Sequence, residues 1–274
     1  MHIVLKKSCW LKAALIAVLI AVAPAGAMAG PDIAERFSRY GTEGAWLIQP
    51  EGAAAEVLHG AELADQALSP ASSIKPLLAL IALQTGALAS ADTLVPWDGR
   101  AYRGRPEWER DMALNEAMLS SSESYFGTLA ERIGRATLAE WIARVGYGNG
   151  VVGEEPRRAW HDGVLLISAN QQLQFIDRLR RDALPFAPEH LAVVKAAMLQ
   201  SSTGGPRIFG KTGTHLRADR SGNGWWVGWV EGDEGDTSFA LLVKLTELDA
   251  RERRLQFANE LLQASGVLQP VSQP

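Results

Sequence analysis

The pattern of apolar and polar positions predicts strands near both ends of the chain and helices between them. Short alternating or apolar runs, which are typical of strands, occupy 44–49, 54–58, 207–214, 224–231 and 238–245. Apolar residues at helical spacing predict a helix that begins at Ser72, and further helices at 112–119, 125–133, 137–145, 169–181, 188–199 and about 250–264. Helices therefore fill most of the middle of the chain.

Strands near both termini predict an α+β (or α/β) fold in which one antiparallel sheet is assembled from the two chain ends. Residues 30–90 and 163–274 would form the sheet lobe, and residues 91–162 an inserted helical lobe. Both lobes would belong to a single unit, residues 30–274, which is long enough to bury one substantial core.

The first 29 residues have the features of an export signal. Three lysines precede the apolar stretch 13–23, which is too short to span a bilayer, and Ala27-Met28-Ala29 is a small-x-small cleavage site. An uncleaved membrane anchor is the alternative. Cys9 would leave with the signal, so the mature chain would hold no cysteine for disulfide or thiol chemistry, and we expect a periplasmic or secreted protein.

The charge balance excludes some classes of partner. The whole chain has 27 Lys and Arg against 31 Asp and Glu, and without the signal 24 remain against 31, a net charge of −7. Nucleic-acid binding requires a concentrated basic face, so a nucleic-acid partner is not expected. The five histidines are scattered without metal-ligand spacing, so we expect neither a metal site nor a separate cofactor. The sequence does not fix an oligomeric state.

Ser72 and Lys75 form a candidate catalytic pair at the head of an apolar helix. Residues three apart share a helix face, so the Ser72 hydroxyl and the Lys75 amine would meet across one turn. Pro76 is tolerated only near a helix start, which places Ser72 at an N-terminus that favours developing negative charge. The pattern predicts a serine nucleophile with an adjacent base, although so short a motif also arises by chance.

The run Lys211-Thr212-Gly213-Thr214 has the chemistry of a ligand-binding edge strand. Lys211 offers positive charge, Thr212 a hydroxyl, and Gly213 a close approach to the backbone. Residues 205–212 also satisfy the phosphate-loop pattern G-x-x-x-x-G-K-[ST], which must follow a strand and open a helix. A Gly-rich turn and another strand follow here instead, so the sequence favours the strand.

These two motifs, in this order, resemble those of the penicillin-recognising serine enzymes, and the chain from residue 30 is similar to the class D β-lactamases, or oxacillinases. Three further stretches carry the resemblance: Tyr147-Gly148-Asn149, Ala159-Trp160-His161-Asp162-Gly163, and the tryptophan-rich strand 224–230. Arg254, in the last helix, stands where that family has an arginine. The resemblance implies a β-lactamase or transpeptidase-like fold, with about five antiparallel strands flanked by helices and a helical lobe inserted.

The resemblance also implies roles for individual residues. Ser72 would attack the lactam carbonyl, with Lys75 as base, its amine carboxylated by carbon dioxide to a carbamate that Trp160 hydrogen-bonds. The backbone N–H groups of Ser72 and Thr214 would form the oxyanion hole. Ser121 would pass a proton to the departing lactam nitrogen. Lys211, Thr212, Gly213, Thr214 and Arg254 would bind the substrate, and Tyr147 would support the site.

One motif departs from the family. The family has Ser-x-Val on the helical lobe, and the matching residues here are Ser121-Ser122-Glu123, although a shift by one residue would choose Ser120 or Ser122 instead. If Glu123 points at Lys75, it stabilises the ammonium and opposes a carbamate, and Glu123 then either acts as base or leaves deacylation slow. If Glu123 turns to solvent, the family mechanism is unchanged.

Several of these residues also suit purely structural roles. The three tryptophans of 224–230 suit the packing of sheet faces, and Trp160 suits a core position. Arg254 would suit a solvated basic face, and Tyr147 begins a segment that Gly and Asn favour as a turn.

The sequence thus predicts an exported serine β-lactamase that acts on small β-lactams, with no membrane contact after signal cleavage. One alternative is a sensor-like or relic protein that penicillin acylates and that releases the product slowly. The other alternative is a D-Ala-D-Ala peptidase or an esterase.

Overall fold

Within residues 30–201, 205–246 and 251–269, which the computed structural model describes, the chain forms one antiparallel sheet with helices on both faces. The strands are β1 (Gly44–Pro50), β2 (Glu56–His59), β3 (Leu199–Ser201), β4 (Arg207–Leu216), β5 (Gly222–Glu231) and β6 (Thr237–Leu245). The helices are α1 (Gly30–Tyr40), α2 (Ala61–Ala64), α3 (Lys75–Thr85), α4 (Leu114–Ser120), α5 (Glu123–Ile133), α6 (Arg135–Val145), α7 (Ala169–Arg180), α8 (Pro188–Ala197) and α9 (Arg251–Ala264). None of these helices has both the length and the apolar composition of a membrane span. The expected export signal and Cys9 lie outside the described residues.

The sheet joins the two ends of the chain, which confirms the predicted architecture. Its strand order is β2-β1-β6-β5-β4-β3, with β1 paired to β6. The sheet has six strands where about five were expected, because residues 199–201 form β3 at one edge. The sequence pattern assigned residue 199 to the preceding helix, since the apolar spacing of α8 continues through Met198 and Leu199.

The tryptophan-rich strand β5 fills both faces of the sheet. Trp225 and Trp229 belong to the larger core together with residues of α3 and α7, whereas Trp226 belongs to the smaller cluster on the opposite face, together with Phe257 of α9 and Phe37 of α1. All three tryptophans are buried, so the interpretation of these side chains as sheet packing is confirmed.

Residues 91–162 contain the helices α4, α5 and α6, and share the larger core with the sheet. Helix α5 packs against α3, and Phe126 of α5 is fully buried near the start of α3. This packing places the beginning of α5 beside the beginning of α3.

Ser72 lies in a 3₁₀ turn, Ala71–Ile74, that precedes α3. The predicted helix start is thus displaced by one turn, and Lys75 is the first residue of α3. The turn is tied to the sheet through the carbonyl of Ser69, which accepts hydrogen bonds from Asn223 Nδ2 (3.0 Å) and Trp225 Nε1 (2.8 Å). These bonds fix the position of the turn that carries Ser72 relative to β5.

Gly213 of β4 touches the same turn. A Cβ atom at this position would lie 2.7 Å from Pro70 O and 3.0 Å from Ser73 N, both backbone atoms. The absence of a side chain therefore sets how closely β4 approaches the turn that carries Ser72.

We predict that Gly213→Ala lowers the free energy of unfolding by about 1–3 kcal/mol, because an added methyl group must displace backbone in a packed site. Chemical denaturation measures this effect. Gly205→Ala is the control, since a Cβ at Gly205 meets no atom within 4 Å. Equal stability of the two variants would contradict the packing constraint.

Candidate active site

A cleft of about 1200 Å³ opens where the 3₁₀ turn, the start of α5 and strand β4 meet. Ser72, Ser121 and Thr212–Thr214 line it, so the structure brings together the nucleophile, the helical-lobe serine and the K-T-G strand that the sequence singled out. The part of β4 from Lys211 onward extends past its pairing with β3, which ends at Phe209. That part of β4 is an edge facing the nucleophile turn, as predicted. Because residues 205–212 continue into this strand, the phosphate-loop alternative is wrong.

Ser121 is the serine that faces the nucleophile. Its Oγ accepts hydrogen bonds from Lys75 Nζ (3.2 Å) and Lys211 Nζ (2.9 Å). The Ser120 hydroxyl instead donates to Glu116 O, and Ser122 caps α5 by accepting from Tyr125 N. The geometry therefore selects Ser121 over the two alternative registers.

The backbone places Ser121 with some strain. Ser121 ends α4 in the left-handed conformation, with φ of 58°, and Ala71, next to Ser72, also has a positive φ of 47°. Non-glycine residues in this region cost about 1–2 kcal/mol each. Ser121 carries a hydroxyl of the site, and Ala71 directly precedes Ser72. Backbone strain in enzymes is often found at such positions in active sites.

Glu123 points into the site. Oε1 accepts hydrogen bonds from Lys75 Nζ (2.8 Å) and from Ser72 Oγ (3.4 Å). Oε2 accepts from Trp160 Nε1 (3.1 Å) and lies 3.3 Å from His161 Nε2. With a side chain that is 23% exposed, Glu123 does not turn to solvent, and that alternative is wrong.

Lys75 is fully buried, and its ammonium is surrounded by oxygen. Besides Glu123 Oε1 and Ser121 Oγ, Nζ donates to Ser121 O (2.6 Å). The rings of Trp108 and Phe126 lie 5.9 and 5.5 Å from Nζ and close off the remaining sides. Three acceptors match the three N–H bonds of an ammonium group.

The charges of Lys75 and Glu123 depend on each other. Burial alone would raise the pKa of Glu123, but the adjacent Lys75 ammonium and His161 hold that pKa well below its usual range. Burial lowers the pKa of Lys75, and Glu123 opposes this shift by stabilising the charged amine. The geometry favours the ion pair at neutral pH.

A carbamate on Lys75 does not fit the groups around it. It would place a second negative charge beside Glu123, whose carboxylate is already 2.8 Å from Nζ. It would also compete for the Trp160 N–H, which donates to Glu123 Oε2. The surroundings of Nζ suit an unmodified ammonium.

Arg254 is fully buried rather than part of a solvated face, so that structural alternative is wrong. Its Nη1 donates to Gly213 O (2.7 Å) and Trp225 O (3.2 Å), and its Nη2 donates to Thr214 Oγ1 (3.0 Å). The guanidinium thus holds the backbone of β4 and the Thr214 hydroxyl in place. Its predicted contact with a substrate carboxylate stays a prediction.

Trp160 and Tyr147 are buried residues of the long loop that connects α6 to α7. Trp160 is fully buried and is both a core residue and a hydrogen-bond donor to Glu123. Tyr147 is buried against Phe175, with ring centroids 5.0 Å apart, and it begins the turn whose Asn149 N–H donates to Leu166 O (2.8 Å). Tyr147 therefore supports the loop, as a turn residue would, and does not line the cleft.

Sequence reasoning did not find two residues that shape the site. His161 lies beside Glu123, and Trp108 lies beside Lys75. His161 falls within the W-x-x-G stretch, which was a usable signal. Trp108 lies in the aperiodic segment 92–110, where no pattern indicates which aromatic ring turns inward.

We predict that Glu123→Gln lowers the free energy of unfolding at pH 7 by about 2 kcal/mol, because it removes the charge partner of a buried ammonium. In the unfolded chain this glutamate titrates near the ordinary pKa of 4.5, and its folded-state pKa is lower. The stability from this carboxylate is therefore complete above pH 4.5 and is lost as the pH falls through the folded-state pKa.

Denaturation at several pH values from about 7 to about 3 measures the difference between wild type and Glu123→Gln. The charged or titratable groups that face Glu123 are Lys75 of α3 and His161 of the loop, with Arg105 acting on Lys75. Glu35→Gln, which alters a carboxylate that is 69% exposed, is the control. A stability difference that grows toward acid pH would contradict the ion pair.

Comparison with known proteins places this site in a family. The family model of the penicillin binding protein transpeptidase domain matches residues 49–263. Beta-lactamase OXA-48 of Klebsiella pneumoniae is 30% identical over 232 residues, which cover 85% of this chain and 87% of that protein. Regulatory protein BlaR1 of Bacillus licheniformis is 27% identical over 241 residues, covering 88% of this chain and 40% of that protein.

Comparison of the fold with solved structures indicates the same family. The crystal structure of the class D β-lactamase YbXI from Nostoc matches with a TM-score of 0.79 at 29% identity, covering 86% of this chain and 99% of that one. The matched regions contain the nucleophile turn, Ser121 and the K-T-G strand. On these grounds, the chain belongs to the class D β-lactamase family of penicillin-recognising serine enzymes.

Proposed function

We propose that the protein is an exported serine β-lactamase that hydrolyses penicillin-type β-lactams through an acyl-enzyme on Ser72. The observation that carries this proposal is the position of the Ser72 hydroxyl. It lies at the cleft wall, hydrogen-bonded to a carboxylate and opposite the edge strand Thr212–Thr214. Export is supported by the composition of residues 1–29.

In the proposed reaction, Ser72 Oγ attacks the lactam carbonyl carbon and the lactam C–N bond breaks. The backbone N–H groups of Ser72 and Thr214 would stabilise the developing oxyanion, a contribution of roughly 3 kcal/mol per donor. Lys211 and Thr212 would bind the substrate carboxylate, and Arg254 would keep Gly213 and Thr214 in place. Water then hydrolyses the ester, and Ser72 is regenerated.

The hydroxyl of Ser121 is well placed to protonate the departing nitrogen. Because its oxygen accepts from two ammonium groups, Lys75 and Lys211, its own proton is directed to a third acceptor. A lactam nitrogen bound in the cleft would be that acceptor.

A second candidate function is a protein that β-lactams acylate but that releases them slowly. It is favoured by the ion pair of Glu123 with Lys75, because that pair does not fit the carbamate base on Lys75 that the family resemblance implies. The similarity to a regulatory protein agrees with this candidate.

We predict that the mature protein mixed with benzylpenicillin forms an adduct on Ser72 that clears as the substrate is hydrolysed. A time course of intact mass, with hydrolysis followed in the same tube, measures both. Ser72→Ala should give no adduct. Ser120→Ala is the matched control and should behave as wild type, since that hydroxyl bonds to Glu116 O.

The other outcomes separate the alternatives. An adduct that forms and persists supports the slow-release candidate. Cleavage of a D-Ala-D-Ala peptide or a simple ester, with no turnover of β-lactam, supports a peptidase or an esterase. No adduct and no hydrolysis would refute the proposed activity.

A further inference from the structure

We propose that the Glu123 carboxylate is the general base for Ser72, and that the proton it takes reaches the lactam nitrogen through an unmodified Lys75 and Ser121. This inference rests on the β-lactamase activity proposed above. It assigns the base to a residue that replaces an apolar valine in the family motif.

The first support is the hydrogen bond of the nucleophile. Ser72 Oγ donates to Glu123 Oε1 at 3.4 Å, a length suited to a site that tightens when substrate binds. A proton moving along this bond would arrive on a carboxylate oxygen. The carboxylate is therefore in place to accept the serine proton as the oxygen attacks.

The second support is the state of Lys75. Its Nζ has three oxygen acceptors within 3.2 Å, and the rings of Trp108 and Phe126 cover its other sides. An ammonium so placed has no lone pair with which to accept the serine proton. It can instead donate one.

The third support is the continuity of the contacts. Glu123 Oε1 lies 2.8 Å from Lys75 Nζ, and Nζ lies 3.2 Å from Ser121 Oγ. With the bond from Ser72, these contacts form an unbroken chain from the nucleophile to the proton donor of the leaving group. Each member is held by a separate element, namely the 3₁₀ turn, α3, the residue after α4 and the start of α5.

The proton balance closes within this chain. As Ser72 Oγ bonds to the carbonyl carbon, its proton passes to Glu123. The C–N bond breaks, Ser121 gives its proton to the nitrogen, and Lys75 gives one to Ser121. Glu123 then returns the first proton to the neutral Lys75, and the ion pair is restored. In deacylation, Glu123 takes a proton from the water that attacks the ester carbonyl and gives it to Ser72 Oγ as the ester C–O bond breaks.

The neighbours of Glu123 keep its carboxylate aimed at Ser72. Trp160 Nε1 donates to Oε2 at 3.1 Å, and His161 Nε2 lies 3.3 Å from the same oxygen. Because Oε2 is held from the far side, Oε1 faces both Ser72 and Lys75. Such positioning is required of a base that is also part of an ion pair.

The test measures acylation and deacylation separately, by rapid-quench intact mass with benzylpenicillin, for wild type, Glu123→Gln and Glu35→Gln. Glu35 is 69% exposed and does not line the cleft, so Glu35→Gln is the matched control. Each protein is assayed in degassed buffer and again with added bicarbonate. Carbon-13 NMR with labelled bicarbonate reports any carbamate on Lys75.

We expect wild-type rates to be independent of bicarbonate, with no carbamate signal. Glu123→Gln should acylate about 100-fold or more slowly, as expected for loss of a general base, and bicarbonate should not restore it. Glu123→Asp, which keeps the carboxylate on a shorter side chain, should recover part of the rate. Glu35→Gln should match wild type.

Two results would overturn the inference while leaving the β-lactamase activity standing. One is a wild-type rate that rises several-fold with bicarbonate together with a carbamate signal. The other is acylation by Glu123→Gln within about threefold of wild type, which would assign the base to Lys75. A wild type that forms no adduct refutes the proposed activity itself, and the inference with it.

Discussion

The ion pair between Lys75 and Glu123 is the constraint around which the site is arranged. A fully buried ammonium requires a counter-charge, and a carboxylate 2.8 Å away supplies it. To satisfy that pair, the protein brings four separate elements together within a few ångströms of Ser72. The same pair that neutralises the buried charge also sets the protonation states available for chemistry, so the stability of the core and the reactivity of the nucleophile depend on one contact.

The strained backbone positions follow from the same arrangement. Ser121 must present both its carbonyl and its hydroxyl to Lys75, and a left-handed residue between α4 and α5 achieves this. Ala71 adopts a positive φ so that Ser72 enters a 3₁₀ turn above β5. Hydrogen bonds from Asn223 and Trp225 to the carbonyl of Ser69 hold that turn against its strain. The unfavourable conformational free energy of these two residues therefore falls at positions where the backbone places a reactive oxygen.

Much of this fold could be predicted from the sequence, because its strands and helices have clear periodicity and its motifs occur in a fixed order. The helix predicted at 169–181, which the structure has at Ala169–Arg180, and the antiparallel sheet are examples. Helix α1 was missed although Ile33 and Phe37 have helical spacing, since it directly follows the signal-like segment. The direction of Glu123 could not be predicted, because a charged residue in the first turn of a helix faces solvent or core according to its tertiary neighbours. Only the structure supplies those neighbours, Lys75, Trp160 and His161.

The strand order has a consequence for how the molecule forms. Strand β1 pairs with β6, and nearby Thr42 Oγ1 donates to Lys244 O across 202 positions of sequence. Closing so long a loop is entropically costly, and folds dominated by such distant pairings assemble slowly. During synthesis, β1 can pair with β2 early, but its other edge has no strand to pair with until β6, near the end of the chain, exists. The K-T-G strand and the nucleophile turn, which are also far apart in sequence, meet only late in this process, so catalytic competence is among the last properties that the folding chain acquires.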